Sequence, residues 1–164
     1  MSFGRQRKSM EPQRAGDSAA ARQSAVALLA RRDFASGELQ RKLEQQGFEA
    51  PVAAATVALL AGEGALNDSR YAENYVTYHA GRGQGPRRIG ADLKALGLPE
   101  ELIGAALAGG PDWRALAREV RVRKFGPGEP ADWAQKARQA RFLQYRGFSS
   151  DHIRLALGAD LDPD

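Results

Sequence analysis

The sequence contains no cysteine, so disulfide bridges, thiolate metal sites and cysteine nucleophiles are excluded. Its longest uncharged stretch near the start, residues 23–30, is far too short to cross a bilayer. The first residues are polar and lack the apolar core of a secretory signal. We therefore expect a soluble cytoplasmic protein whose residues 1–18 form a mobile tail.

Histidine is scarce, and its placement argues against a metal site. Neither His79 nor His152 has a second histidine or a cysteine three or four positions away, so a zinc-type ligand pair is missing. Nucleotide-binding, zinc-protease and serine-hydrolase motifs are also missing. The glycine-rich residues 81–86 follow a predicted helix rather than a strand. We interpret them as a flexible link between helices, with a phosphate loop as the less favoured alternative. No enzyme activity, cofactor or metal is expected.

Three segments of the chain align at a constant offset of fifty residues. Each segment has a leucine, then a glycine, then an apolar residue at equivalent positions: Leu43, Gly47 and Phe48; Leu93, Gly97 and Leu98; Leu143, Gly147 and Phe148. The leucine lies on the apolar face of a short predicted helix. The glycine suits the left-handed residue that ends this helix, and the next residue can pack back on it. Each segment therefore predicts two helices joined at a glycine.

A longer helix is predicted before each pair, and no alternating β-branched run is long enough for a strand. We expect an all-α protein of three tandem three-helix repeats, at residues 19–65, 66–112 and 113–158. A C-terminal tail, residues 159–164, follows them. Small repeats gain stability from contact with their neighbours, so we expect an elongated, curved body. Repeats that cover their own apolar faces also favour a monomer.

Charge is distributed unevenly along the chain. Residues 1–32 hold seven basic and two acidic residues, and residues 33–113 hold seven basic and eleven acidic residues. Residues 114–154 hold ten basic and four acidic residues, and the last ten hold three acidic residues and no basic one. Basic ends around an acidic middle fit nucleic acid or an acidic protein groove as a partner. An ordinary solvated surface gives a similar pattern.

Basic side chains are the remaining polar feature. We select nine as candidate contacts to a partner protein or to DNA: Arg87, Arg88, Arg114, Arg118, Arg121, Lys124, Arg138, Arg141 and Arg146. The spacing of Arg114, Arg118 and Arg121 puts them along one flank of a predicted helix. On the next helix, Arg138 and Arg141 share a flank with Tyr145. Arginine beside an aromatic ring suits phosphate, base stacking or an acidic protein face, whereas a solvated helix face is the alternative.

Four stretches resemble the RecX family. Residues 65–76, ALNDSRYAENYV, and residues 83–98, GQGPRRIGADLKALGL, look like its central signature. Residues 31–48, RRDFASGELQRKLEQQGF, resemble the pattern of its first repeat, and residues 141–148, RFLQYRGF, resemble its last repeat. The resemblance covers about residues 20–158 in order and leaves the N-terminal tail outside.

The resemblance implies an elongated all-helical regulator of the RecA recombinase. Family members lodge in the groove of the RecA nucleoprotein filament and restrain its growth, ATP hydrolysis, LexA cleavage and strand exchange. Many also bind single- or double-stranded DNA. The resemblance brings no catalytic residue and no motif that assigns filament contacts, so the nine basic residues stay candidates from charge alone. We hypothesise that the body bridges successive RecA subunits and blocks subunit addition or locks the filament geometry.

Two other functions stay open. One is a stand-alone DNA-binding module, because three-helix units can resemble helix-turn-helix domains. Against it, no repeat has a recognition helix rich in Arg, Asn and Gln. The other is a structural adaptor for a different acidic protein.

Overall fold

A computed structural model describes residues 12–158 of the chain. Within this range all regular structure is helical, in the order α1 Pro12–Ala15, α2 Ser18–Leu29, α3 Ser36–Gln45, α4 Ala50–Gly62, α5 Asp68–Gly81, α6 Pro86–Ala95, α7 Glu100–Ala108, α8 Trp113–Phe125, α9 Trp133–Arg146 and α10 Ser150–Ala156. Three-helix repeats are formed by α2–α4, α5–α7 and α8–α10, which confirms the expected all-α class. Every helix in this range is too short or too polar to span a bilayer.

The expected tails fall largely beyond the part of the chain that the structure describes. Residues 1–11 of the N-terminal tail and all of residues 159–164 lie outside it. The remaining part of the N-terminal tail contains α1, whose last carbonyl, that of Ala15, accepts a hydrogen bond from the Glu49 N–H at 3.0 Å. The N-terminus of α4 therefore contacts the end of α1.

The chain divides into two compact units, Met1–Asp68 and Ser69–Asp164. The first unit contains repeat 1, whose buried core is built mainly from α2, α3 and α4: Ala21, Ala25, Phe34, Leu39, Leu43, Phe48, Ala53, Val57, Leu60 and Leu66. The second unit contains repeats 2 and 3. Its larger buried apolar side chains include Val76, Ile89, Leu93 and Ile103 in repeat 2 and Leu143 and Phe148 in repeat 3.

The middle helix of every repeat ends in the same hydrogen-bonded motif. In repeat 1 the Gly47 N–H donates to the Glu44 carbonyl at 2.9 Å, and the Phe48 N–H donates to the Leu43 carbonyl at 3.2 Å. Gly47 has a φ of 108°. These two bonds with a left-handed residue form a Schellman motif, which satisfies carbonyls that have no partner inside the helix. Gly97 and Gly147 end α6 and α9 in the same way, with φ of 88° and 97°.

Helix starts differ among the repeats. In repeat 3 every helix begins with a side-chain cap: Asp112 and Asp132 accept backbone N–H groups at the starts of α8 and α9, and Ser149 does so for α10. In α4 and α6 a proline stands in the first turn and no side-chain cap is formed. Proline suits this turn because its missing N–H would have no helical partner. The start of α6 needs other partners, which it obtains from repeat 3.

Candidate partner-binding surfaces of repeats 2 and 3

Repeats 2 and 3 meet where the start of α6 faces the end of α9. The Gly85 N–H donates to the Arg146 carbonyl at 2.8 Å, and the Arg87 N–H donates to the Gly147 carbonyl at 2.9 Å. Donors at a helix start and acceptors at a helix end lack partners within their own helices, so each end satisfies the other. The two helix dipoles also meet head to tail, which is favourable. We call this contact the α6–α9 junction.

Two glycines allow the backbones to approach this closely. A Cβ added at Gly85 would lie 2.6 Å from the Phe148 nitrogen, and one added at Gly147 would lie 2.7 Å from the Arg88 nitrogen. Cβ atoms do not come this close to backbone atoms without displacing them. Gly147 also has positive φ, which disfavours any L side chain. The junction therefore depends on glycine at both positions.

The junction changes the interpretation of residues 81–86. This segment was expected to be a flexible link, but Gly83 and Gly85 are buried. The backbone N–H groups of residues 82–85 and 87 all donate to carbonyls of the chain. A phosphate cradle needs free N–H groups, so this segment does not provide one. It forms a fixed contact between two repeats.

A groove opens beside the junction, and we call it the α8–α9 groove. Its volume is about 140 Å³. Residues from the α5–α6 turn, α8 and α9 line it: Arg82, Gly83, Val120, Arg123, Lys124, Phe142 and Arg146. Lys124 and Arg146 were among the predicted contacts, whereas Arg82, Arg123 and Phe142 were not. Sequence spacing could not group them, because Arg82 is far from the others along the chain.

Cations surround the Phe142 ring in this groove. The Lys124 Nζ lies 5.6 Å and the Arg146 Cζ lies 5.3 Å from the ring centroid, distances typical of cation–π contacts. Phe125 packs on the same ring in a T-shaped arrangement, with 5.3 Å between centroids. Arg146 also donates to the Arg82 carbonyl at 3.5 Å, which ties the groove to the α5–α6 turn.

The positive charge of the groove is mostly unneutralised. Arg123 pairs with Glu119 at 3.1 Å. Among the described residues, no carboxylate lies within ion-pairing distance of Arg82, Lys124 or Arg146. The groove therefore concentrates positive potential and attracts anionic groups.

The outward side of α9 forms a second basic surface, which we call the α9 outer face. It consists of Arg138, Arg141 and Tyr145, all exposed, together with Arg88 from α6. The Arg138 Cζ also lies 5.8 Å from the Phe125 ring centroid, so this residue borders α8 as well. The Arg88 Cζ lies 5.8 Å from the Tyr145 ring centroid, and Tyr145 is 77% exposed. The exposed Arg87 precedes Arg88 at the start of α6. The junction thus places four of the predicted basic residues along one connected region of repeats 2 and 3.

Arg121 is a correction to the predicted set. It is only 6% exposed, and its guanidinium donates to the Gly128 carbonyl at 3.0 Å and to the Gln139 Oε1 at 3.4 Å. Arg114 and Arg118, on the same predicted flank, are exposed. The spacing of the three arginines correctly predicted a helix. However, residues 126–132 and α9 pack over the last turns of α8, where Arg121 lies. Arg121 therefore holds the α8–α9 loop and is not part of an exposed contact face.

Both histidines are partly buried, and each has a lowered pKa. Burial lowers the pKa of His79, and the nearby charges of Arg82 and Arg88 lower it further, although Asp92 opposes them. Burial and the charge of Arg114 lower the pKa of His152. The Tyr75 ring packs against His79 at a tilt of 34°, with 4.1 Å between centroids, and its hydroxyl donates to the Asp92 Oδ2 at 3.3 Å. Burial first, and then Asp92, raise the pKa of Tyr75 to about 12.

No metal site accompanies these surfaces. Residues 12–158 contain no group of three His, Cys, Asp or Glu side chains that could hold a metal ion.

Family models and curated relatives match the chain along most of its length. Models described as the first, second and third three-helix domains of RecX match residues 21–60, 67–107 and 112–157. A protein of Halorhodospira halophila named regulatory protein RecX is 43% identical over 143 residues, covering 87% of this chain and 89% of its own. A regulatory protein RecX of Pseudomonas fluorescens is 44% identical over 145 residues, covering 87% and 94%.

Solved structures share the fold. The crystal structure of RecX from Lactobacillus salivarius superposes with a TM-score of 0.75 at 18% identity, covering 87% of this chain and 95% of its own. Another crystal structure, of a regulatory protein RecX, gives a TM-score of 0.73 at 20% identity, covering 87% and 72%. At these identities the likeness shows the fold alone.

Proposed function

Because the chain belongs to the RecX family, we propose that it binds the RecA nucleoprotein filament and modulates its ATP hydrolysis, strand exchange and coprotease activity. The coarser role, a regulatory protein, is that of its curated relatives. The finer role is supported by the unneutralised cations of the α8–α9 groove and by the α9 outer face. A filament that presents nucleic acid and acidic protein surfaces is complementary to both.

The α6–α9 junction supports a mechanism in which repeats 2 and 3 act as one block. Basic residues of both repeats keep their spacing because backbone hydrogen bonds join the helices that hold them. A rigid surface loses less conformational entropy on binding than a mobile one. Such a block can contact neighbouring RecA subunits together and restrain the subunit movements that accompany ATP turnover or filament growth.

The proposal is tested by measuring DNA-dependent ATP hydrolysis by the cognate RecA while this protein is titrated in. We expect inhibition well below a one-to-one ratio with RecA on DNA already saturated with RecA. Adding excess single-stranded DNA should leave this inhibition in place. Inhibition that disappears with excess DNA would contradict direct filament binding.

A triple charge reversal locates the contact. We expect Arg118→Glu, Lys124→Glu and Arg141→Glu together to raise the inhibitory concentration at least about tenfold, because complementary charges become repulsive. The control reverses the exposed Arg31, Lys42 and Lys136, which makes the same change in net charge. Arg121 is left unchanged because it is buried. Full inhibition by a well-folded triple variant would contradict the assignment.

Direct DNA binding is a second candidate, favoured by Tyr145. An aromatic ring that is 77% exposed and flanked by arginines can stack on an unpaired base while the arginines contact phosphates. We expect binding to a single-stranded oligonucleotide to fall steeply with salt, and Tyr145→Ala to weaken it without changing the salt slope. Unchanged binding by Tyr145→Ala would exclude stacking on this ring. We further expect a monomer in the cytoplasm. Sedimentation of the purified chain tests the oligomeric state, and cell fractionation tests the location.

A further inference from the structure

We propose that the α8–α9 groove binds an acidic peptide segment of the protein partner and seats one apolar side chain of that segment against Val120 and Phe142. The inference rests on the proposed function, since it names the part of a protein partner that this surface recognises. It also separates the tasks of the two basic surfaces. The groove binds the protein partner, and the α9 outer face remains available to bind nucleic acid.

The size of the groove fits a single side chain. Its volume of about 140 Å³ is close to that of an apolar cavity, about 150 Å³, that accommodates benzene in another protein. The apolar lining comes from Val120, Phe142 and the α-carbon of Gly83. A phenylalanine or leucine side chain therefore fills the space between the cations. Concave sites with an apolar base and a few charged groups at the rim are typical of ligand recognition.

The Phe142 ring is unsuited to stacking on a nucleobase. Lys124 and Arg146 lie within cation–π distance of it, and Phe125 packs on it in a T-shaped arrangement. Stacking would place a base flat over the whole ring, where these cations lie, whereas an apolar side chain needs only the part of the partly exposed ring that lines the groove. By contrast, Tyr145 is mostly exposed and can be reached by a base. The groove thus favours a peptide over a nucleic acid.

The charges around the groove favour carboxylates on both sides of the apolar side chain. Arg82 comes from repeat 2, whereas Lys124 and Arg146 come from repeat 3, so both rims carry cations without a carboxylate partner among the described residues. Arg82 also donates to the Tyr78 hydroxyl at 3.1 Å, a neutral group that a carboxylate can replace. Arg123 can also turn to a ligand, because its pair with Glu119 is exposed and exposed pairs are weak. Arginine binds carboxylates in a bidentate manner. The matching segment has acidic residues before and after one apolar residue.

The α6–α9 junction holds the groove in shape before a ligand binds. Gly83 has a φ of 81°, and a Cβ added there would lie 3.2 Å from the Val120 Cγ2, so the turn packs closely on α8. Arg146 holds the Arg82 carbonyl from the other side. A preformed site loses little entropy on binding.

The experiment titrates the full-length chain with a fluorescein-labelled peptide in which glutamates flank one phenylalanine. Anisotropy reports affinity, and backbone amide resonances of Gly83 and Phe142 report the place of binding. We expect both resonances to shift, and Lys124→Glu or Arg82→Glu each to weaken binding about tenfold or more. The control Lys136→Glu, exposed at the start of α9, should bind as the wild type does. Circular dichroism checks that each variant is folded.

Three further probes separate the alternatives. A peptide with glutamines for glutamates and one with serine for phenylalanine should both lose most of the affinity. A single-stranded oligothymidylate should leave the Gly83 and Phe142 resonances in place. The proposal is overturned if the oligothymidylate shifts these resonances and the peptide does not, or if Lys136→Glu weakens the peptide as much as Lys124→Glu does.

Failure of this inference is distinguishable from failure of the proposed function. Inhibition of RecA ATP hydrolysis without peptide binding in the groove would overturn the inference alone. Peptide binding in the groove without any effect on RecA would overturn the proposed partner but keep the site.

Discussion

Gly47 in repeat 1 and Gly147 in repeat 3 end equivalent helices with the same pair of hydrogen bonds, yet their surroundings differ. Gly47 is exposed, whereas Gly147 is buried against Arg88 of α6. Gly97 in repeat 2 is exposed as Gly47 is. One local motif therefore serves two purposes: it ends a helix in every repeat, and in repeat 3 it also forms half of the α6–α9 junction. The repeated sequence thus specifies how each middle helix ends, but not which residues pack against that end.

Alanine at these glycines should separate the two purposes most clearly. Gly47→Ala should cost about 1–2 kcal/mol, the usual penalty for an L side chain with positive φ. Gly147→Ala should cost at least about 2 kcal/mol more, because its Cβ also overlaps Arg88. Chemical denaturation of both variants measures the difference. Equal losses would mean that the junction adds nothing to stability.

Gly85 and Gly81 sharpen the comparison without any backbone strain. Gly85 has an ordinary φ of −88°, so the cost of Gly85→Ala, about 2–3 kcal/mol, should come from overlap with residues 147 and 148 alone. Gly81 lies at the end of α5 with nothing near its Cβ position. Gly81→Ala should be neutral or stabilise by up to about 1 kcal/mol. If Gly85→Ala is tolerated as well as Gly81→Ala, residue 85 does not lie as close to residues 147 and 148 as the structure places it.

Arg121 and Arg118 offer a pair one helical turn apart with opposite environments. Arg121→Ala should destabilise by about 2–3 kcal/mol, because the Gly128 carbonyl and the Gln139 side chain lose a buried donor. Arg118→Ala should stay within about 0.5 kcal/mol, as expected of an exposed side chain. Urea unfolding followed by circular dichroism distinguishes them. A similar effect of both substitutions would show that Arg121 is not held in this network.

The smallest expected effect is a pH dependence from the two histidines. Folding lowers the pKa of His79 and His152 below the unfolded value of 6.5. The unfolded state then binds more protons than the folded state below that value. The contribution of the two neutral histidines to the free energy of unfolding should be fully present above about pH 6.5. It should decrease as the pH falls toward the lowered pKa values. The decrease should be modest, since both rings are partly exposed.

Glutamine substitutions test this dependence. Thermal unfolding between neutral and mildly acidic pH should show a smaller change for His79→Gln and His152→Gln together than for the wild type. An equal change in both proteins would assign the acid sensitivity to carboxylates instead.

The sequence alone predicted the helices of the three repeats and the glycines that end their middle helices, but it did not predict α1 in the expected N-terminal tail. The columns of Leu43, Gly47 and Phe48 predicted a helix stopped by a left-handed glycine, and these motifs depend on residues at most five positions apart. The all-α class and the family resemblance follow from the same local patterns. Hydrogen bonds of this range are specified by neighbouring residues, so they can be inferred without the rest of the chain.

Only the tertiary structure decided which glycines join two repeats and which cations share a surface. Arg82 reaches the same groove as Lys124 and Arg146 because two helix ends pair across the junction, and helical periodicity contains no information about that pairing. The same limit explains Arg121: the spacing gave its side of α8, whereas the loop and α9 that cover it come later in the chain. Periodicity describes one element, but burial and charge clustering are properties of elements packed together.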